Sequence, residues 1–187
     1  MSLYKILHNN ELRVAISGKS GCGNTTVSTL LSEKLGVKII NFTFRQLALE
    51  RNITLAEVIE SAKTSDWWDE QVDTRQVELA REQSCILASR LAIWMLKEAD
   101  FKVYLLASDD ERASRILKRE GGDLENIKSF TKMRDSEDSK RYKRIYGIDN
   151  TDTSCADFVI DTALYMPEEI VNLIITELEK RGFVEKK

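Results

Sequence analysis

Ile16-Ser17-Gly18-Lys19-Ser20-Gly21-Cys22-Gly23-Asn24-Thr25-Thr26 is the stretch whose reading decides the fold. The aliphatic run Leu12-Arg13-Val14-Ala15-Ile16 leads into it. Val27 to Leu35 leads out, with Val27, Leu30, Leu31 and Leu35 on one helical face and Gly36 as the stop. Strand, glycine-rich turn and helix, in that order, make a phosphate-cradling loop. Its glycines let successive backbone N–H groups turn toward one anion, and the helix that follows offers its positive end to the same anion. The spacing follows G-x-x-x-x-G-K-[ST], with Gly18 and Gly23 framing the loop and Thr25 set to reach Mg²⁺. At the lysine position the chain carries Asn24.

Outward from the loop, short aliphatic runs alternate with helix-compatible stretches. Val37–Ile40, Cys85–Ala88, Phe101–Ala107 and Phe158–Asp161 read as further strands. Phe44 to Asn52 reads as a helix, Thr54 and Glu57 as the capping box of a second, and Ser65-Asp66 as the start of a third. Leu91–Lys97 reads as a buried helical turn, and Ser108 caps a helix that Gly121-Gly122 breaks. Leu124–Tyr146 is long, charged and helical, and Pro167 opens the last helix. Alternation of this kind predicts a parallel sheet covered on both faces, with the ligand at the carboxyl ends of the strands. The glycine loop, Arg90 and Asp161 all fall at or near such ends.

A chain of 187 residues with 42% hydrophobic and 32% charged content fits one globular domain. A net charge of -3 gives no reason to expect nucleic acid as a partner. Cys22, Cys85 and Cys155 are odd in number and widely spaced, so we expect reduced thiols rather than a disulfide or zinc framework. The single histidine, His8, sits near the start and rules against a histidine-based metal or triad site. No run approaches the roughly 20 apolar residues of a membrane span, and Met1–Asn10 lacks a signal-peptide core. The expected protein is cytoplasmic and monomeric, with no membrane partner.

Arg134-Asp135-Ser136-Glu137-Asp138-Ser139-Lys140-Arg141 places residues 134, 138 and 141 on one helical face. A charge run of this kind usually marks a solvated helix, but Ala156-Asp157-Phe158-Val159-Ile160-Asp161-Thr162 follows it. Together these resemble the R-D-x-x-D-x-x-R and A-D-x-x-x-D-T segments of the nucleoside monophosphate kinases, most closely the cytidylate kinases. Arg141-Tyr142, Tyr146-Gly147-Ile148-Asp149, Ser89-Arg90-Leu91-Ala92-Ile93-Trp94 and Arg112-Ala113-Ser114-Arg115-Ile116 resemble the shorter branch of that family, known mainly from archaea and some bacteria. The resemblance runs from about residue 12 to residue 180.

The resemblance implies a P-loop NTPase three-layer fold with five parallel strands, a monophosphate-binding insertion at about 42–82 and a lid at about 119–146. It implies transfer of the γ-phosphate of Mg-ATP to CMP or dCMP. Gly18, Ser20, Gly21, Cys22, Gly23, Asn24, Thr25 and Thr26 would hold the donor phosphates, Thr25 also serving Mg²⁺. Arg45 and Arg90 would meet the acceptor phosphate and Asp138 the acceptor nucleoside. Arg134 and Arg141 would close on the phosphates, and Arg115, with Arg112 and Arg119, would approach the donor. Phosphoryl transfer asks the protein for alignment and charge neutralisation, which guanidinium groups supply without a general base. Asn24 lacks the charge of the family's lysine, and losing one such donor costs on the order of 10²–10³ in rate. Lys19, inside the loop, could fold back to replace it. Asn24 also leaves open a nucleotide-binding protein with little turnover, and UMP or AMP remain alternative acceptors. Trp67, Trp68 and Trp94 are expected to pack and Cys22 to fill space; Asp73 and Arg75 could touch the acceptor base, but the expected arrangement is an exposed helix pair.

Overall fold

The computed structural model describes residues 3–7 and 11–187. His8 lies outside them. The elements in chain order are β1 (Tyr4–Ile6), β2 (Arg13–Gly18), α1 (Asn24–Leu35), β3 (Lys38–Ile40), α2 (Phe44–Arg51), α3 (Leu55–Ala62) and α4 (Trp67–Arg81). They continue with β4 (Cys85–Ala88), α5 (Ala92–Met95), β5 (Phe101–Leu106), α6 (Asp109–Glu120), α7 (Leu124–Tyr146), β6 (Phe158–Asp161), α8 (Pro167–Lys180) and β7 (Val184–Lys186). β3, β4, β2, β5 and β6 lie side by side in that order, all parallel. The expected five-stranded parallel sheet is therefore present, with β2 at its centre.

One face of the sheet packs on α1 and α8 through Val14, Ile16, Leu31, Val103, Ile174 and their neighbours. The other packs on α4 and α5 through Ala15, Val77, Ala80, Leu87 and Ile93. Consecutive residues of β2 thus bury to opposite faces, so the strand carries no polar side and reads as an unbroken aliphatic run. The layers are helix, sheet and helix, the three-layer P-loop arrangement.

Local chemistry sets the element ends. Gly36 closes α1 in the left-handed region at φ 69°. The side chains of Thr54 and Glu57 cap α3 reciprocally, and Ser108 Oγ accepts from Glu111 N at 3.2 Å at the start of α6. β1 and β7 form a separate two-stranded antiparallel sheet, which the sequence pattern does not announce. Each is three residues long, too short for an alternation, and the pairing is long-range.

The loop between β2 and α1 is moulded by contact. Gly21 has φ +86°, and a Cβ there would stand 2.9 Å from both Cβ and carbonyl oxygen of Arg112. Gly23 shares the left-handed conformation at φ +88°, but a Cβ there would meet nothing within 4 Å. Gly23→Ala is therefore expected to cost about 1–2 kcal/mol of unfolding free energy, the backbone penalty alone. Gly21→Ala adds a steric overlap against backbone and should cost clearly more, about 3 kcal/mol. Urea unfolding of the two variants checks this; equal losses would mean that the Arg112 contact has no weight.

Candidate active site

A cavity of about 960 Å³ opens at the carboxyl ends of β2 and β4, where an open α/β sheet places its ligand. Its floor is the glycine loop, with Gly18, Lys19, Ser20, Gly21, Gly23, Asn24, Thr25 and Thr26 all exposed to it. Cys22 is not. It is 2% exposed and packs beneath the loop in the core, where burial raises its thiol pKa. The expectation that Cys22 fills space holds, and its side chain lies outside the cavity lining.

Asn24 begins α1 and lines the cavity. Its Nδ2 donates to Ile16 O at 3.4 Å and its Oδ1 accepts from Ser28 Oγ at 3.2 Å, so the amide ties the helix start to the central strand. Lys19 instead extends to α7, its Nζ 3.6 Å from Asp135 Oδ2. That carboxylate also accepts from Nη2 of Arg112 at 2.6 Å. Arg112 is 1% exposed; its Nη1 donates to Ser20 O at 3.1 Å and its Nη2 also reaches Asp109 at 2.7 Å. Burial opposes its charge, but Asp109 and Asp135 outweigh that and leave its pKa above the ordinary value. Arg112 therefore shapes the loop from behind and does not line the cavity. Arg115 does line it, yet its donors go to Gly21 O, Thr162 Oγ1, Thr162 O and Glu111. It clamps the loop to the turn after β6. Asp161, at the end of β6, turns elsewhere and accepts from Ala163 N.

The roof is one stripe of α7: Phe130, Met133, Arg134, Glu137, Asp138, Arg141 and Tyr142. These steps of three and four define a single helix face, as the sequence spacing of 134, 138 and 141 predicts. Asp138 is 6% exposed and pairs with Arg90, at the end of β4, and with Arg141 Nη2 at 2.9 Å. Burial, then repulsion from Arg134, lowers the pKa of Arg90. Arg134 itself is exposed at the cavity edge. Three guanidinium groups from two elements thus converge on one space.

The side wall is α4, which contributes Asp69, Val72, Asp73 and Gln76. Three contacts bind it to the end of α7: Asp66 to Arg144 at 3.1 Å, Asp69 to Arg141 at 3.6 Å, and Tyr146 Oη donating to Asp73 Oδ2 at 2.8 Å. The expectation of an exposed Asp73–Arg75 pair is wrong. Asp73 faces the cavity, while Arg75 pairs with Glu50 and Glu78 outside. The periodic set 69, 72, 73 and 76 was available as a signal, but its charged members looked like a solvated face. α2 turns Phe44 to the cavity, and Arg45, one helical step round, is exposed and outside the lining of the empty site. Trp67 and Trp68 meet edge-on at 4.8 Å, and Trp94 packs on Tyr104, as expected of packing residues.

The cytidylate kinase-like family model matches residues 13–164. The chain belongs to that family. Cytidylate kinase 2 of Borreliella burgdorferi is 45% identical over 175 residues, which cover 91% of this chain and 97% of that protein. Cytidylate kinase of Archaeoglobus fulgidus is 35% identical, covering 90% of this chain and 95% of the relative. A shikimate kinase from Acinetobacter baumannii superposes with a TM-score of 0.64 at 20% identity, covering 91% of this chain and 94% of the other, and so shares the P-loop fold. This member of the cytidylate kinase-like family is a nucleoside monophosphate kinase, a P-loop nucleotide-binding transferase. No helix among the described residues is long and apolar enough to cross a membrane, and no group of three or more metal-ligating side chains occurs among them.

Burial raises Asp73 to about 6, more than Tyr146 lowers it. A carboxyl with a higher pKa folded than unfolded favours folding when protonated, so its contribution falls as pH rises through that interval. Asp73→Asn removes the titration. Relative to the wild type, its unfolding free energy should improve by about 2 kcal/mol between pH 4 and pH 7. Denaturant titrations at both pH values measure this, and a difference independent of pH would refute it.

Proposed function

We propose that this kinase transfers the γ-phosphate of Mg-ATP to CMP or dCMP, giving ADP and CDP or dCDP, as a cytoplasmic monomer in pyrimidine nucleotide metabolism. The observation that carries the proposal is the opening of Arg90, Arg134 and Arg141 onto the same cavity as the glycine loop. Donor phosphates would lie on the backbone N–H groups of Gly18–Thr26, at the positive end of α1. The acceptor phosphate would take the guanidinium donors that Asp138 now holds, with Arg134 closing from the edge. A phosphate oxygen is already a competent nucleophile, so the protein supplies alignment and positive charge.

Magnesium fits the oxygen-only chemistry of this loop, where Thr25 is the residue that would hold it; when bound it neutralises the donor phosphates. Lys19 lines the same cavity, and a donor phosphate that drew its Nζ from Asp135 would gain the charge absent at Asn24. Arg115 acts by fixing Gly21 and Thr162. The helices of residues 42–82 would carry the acceptor, and 119–146 would serve as the lid.

An ADP-coupled assay with ATP, Mg²⁺ and a panel of CMP, dCMP, UMP and AMP tests this. CMP or dCMP should turn over fastest, and Lys19→Ala should lower kcat by about 10–100-fold. Absence of ADP above background with every acceptor, alongside measurable ATP binding, would overturn the proposal. Unchanged turnover in Lys19→Ala would remove Lys19 from it.

A further inference from the structure

The roof of the cavity carries two side chains that the phosphate chemistry leaves unused. Outside the cavity, α7 turns charged or polar residues to solvent: Glu125, Lys132, Ser136, Lys140 and Lys143. Its exposed large apolar side chains, Phe130 at 59% and Met133 at 54%, both line the cavity instead. Single apolar residues are common on protein surfaces and need no explanation. Here a charged helix places its exposed apolar pair on the one face that looks onto the glycine loop.

Phe130 also borders a smaller cavity of about 360 Å³ between α6 and α7, together with Ser20 of the loop and Arg119. The apolar pair thus stands at the loop end of the roof, while Asp138, further along α7, stands with Arg90. Arg134 lies one helical turn after Phe130 and directly follows Met133. It is exposed, and its side chain has no hydrogen bond or ion pair among the described residues. A guanidinium flanked by apolar surface attracts a phosphate more strongly once water is displaced, because the attraction grows as the local dielectric falls.

We propose that Phe130 and Met133 form an apolar cover over the donor phosphates that keeps water from the transferring phosphoryl group. In the productive reaction an acceptor phosphate oxygen bonds to the γ-phosphorus as the bond to the bridging oxygen of the leaving ADP breaks. Water in place of the acceptor forms the same kind of bond and gives ADP, inorganic phosphate and a proton. Positive charge serves both reactions, because it stabilises the same transferring group. Exclusion of water separates them. Phe130 and Met133 hold no reacting atom; they govern which nucleophile reaches it. This rests on the nucleotide kinase reading above and adds the residues that select a nucleotide acceptor against water.

The test follows two products of the full chain at once, inorganic phosphate and the nucleoside diphosphate made from the fastest acceptor of the panel above. Wild type is compared with Phe130→Ser, Met133→Ser, the double serine variant and a double variant carrying Phe130→Leu and Met133→Leu. The wild type should make diphosphate with little inorganic phosphate. Each serine variant should raise the ratio of inorganic phosphate to diphosphate by about 10-fold, the double variant by more, and the leucine pair should bring it back. Both side chains are exposed, so the urea midpoint of every variant should stay near that of the wild type. An unchanged ratio in the folded double serine variant overturns the cover. So does a leucine pair no better than the serine pair, or a wild type that releases as much inorganic phosphate as diphosphate. A wild type that forms neither product overturns the kinase reading and the cover with it. Diphosphate from UMP or AMP alone overturns the cytidine assignment, and the ratio still decides the cover.

Discussion

A buried guanidinium holds this site together. Arg112 has almost no exposure, yet it touches the loop, its own helix start and α7 through Ser20 O, Asp109 and Asp135. A buried charge of this kind is tolerated only when oppositely charged groups surround it, and removing a partner leaves it uncompensated. Floor and roof of the cavity are therefore bound to one another before any nucleotide arrives. The lack of a Cβ at Gly21 lets α6 come close enough for the bond to Ser20 to form. Asp135 extends the same network to Lys19, so the loop's own lysine is placed by the residue that compensates Arg112.

The side of the cavity around Arg90 and Arg141 follows the same electrostatic logic in a more exchangeable form. Arg90 and Arg141 share Asp138, which offsets two positive charges in a half-buried space. A phosphate brings more negative charge than one carboxylate, so it competes well for the same guanidinium donors. Asn24 fits this economy of charge. Its amide is committed to Ile16 and Ser28, which fixes the start of α1 and leaves the backbone N–H groups as the loop's main anion-binding feature.

The parts of the fold legible in the sequence are those set by local chemistry. The glycine loop, the capping box at Thr54 and Glu57 and the aliphatic strands of the central sheet each depend on a few adjacent residues. The 134, 138 and 141 stripe was legible because helical spacing alone decides which residues share a face. What stayed hidden depends on how an element is rotated against its neighbours. The adjacent Phe44 and Arg45 differ only in which way α2 is turned. Asp73 looked solvated because nothing local reveals that Tyr146 covers it. The pairing of β1 with β7 joins the two ends of the chain and has no local sign.

α7 has one more consequence, a matter of length. It is a continuous helix of 23 residues, bound through Asp135 to the loop and α6, and through Arg141, Arg144 and Tyr146 to α4. A helix is stiff along its axis and rises about 1.5 Å per residue, so Arg134 and Arg141 stand about 10 Å apart along it. It acts as a ruler laid across the two halves of the cavity. The spacing of these two guanidinium groups is metered by whole helical turns, so inserting or deleting a single residue in α7 would rotate one of them away from the cavity altogether.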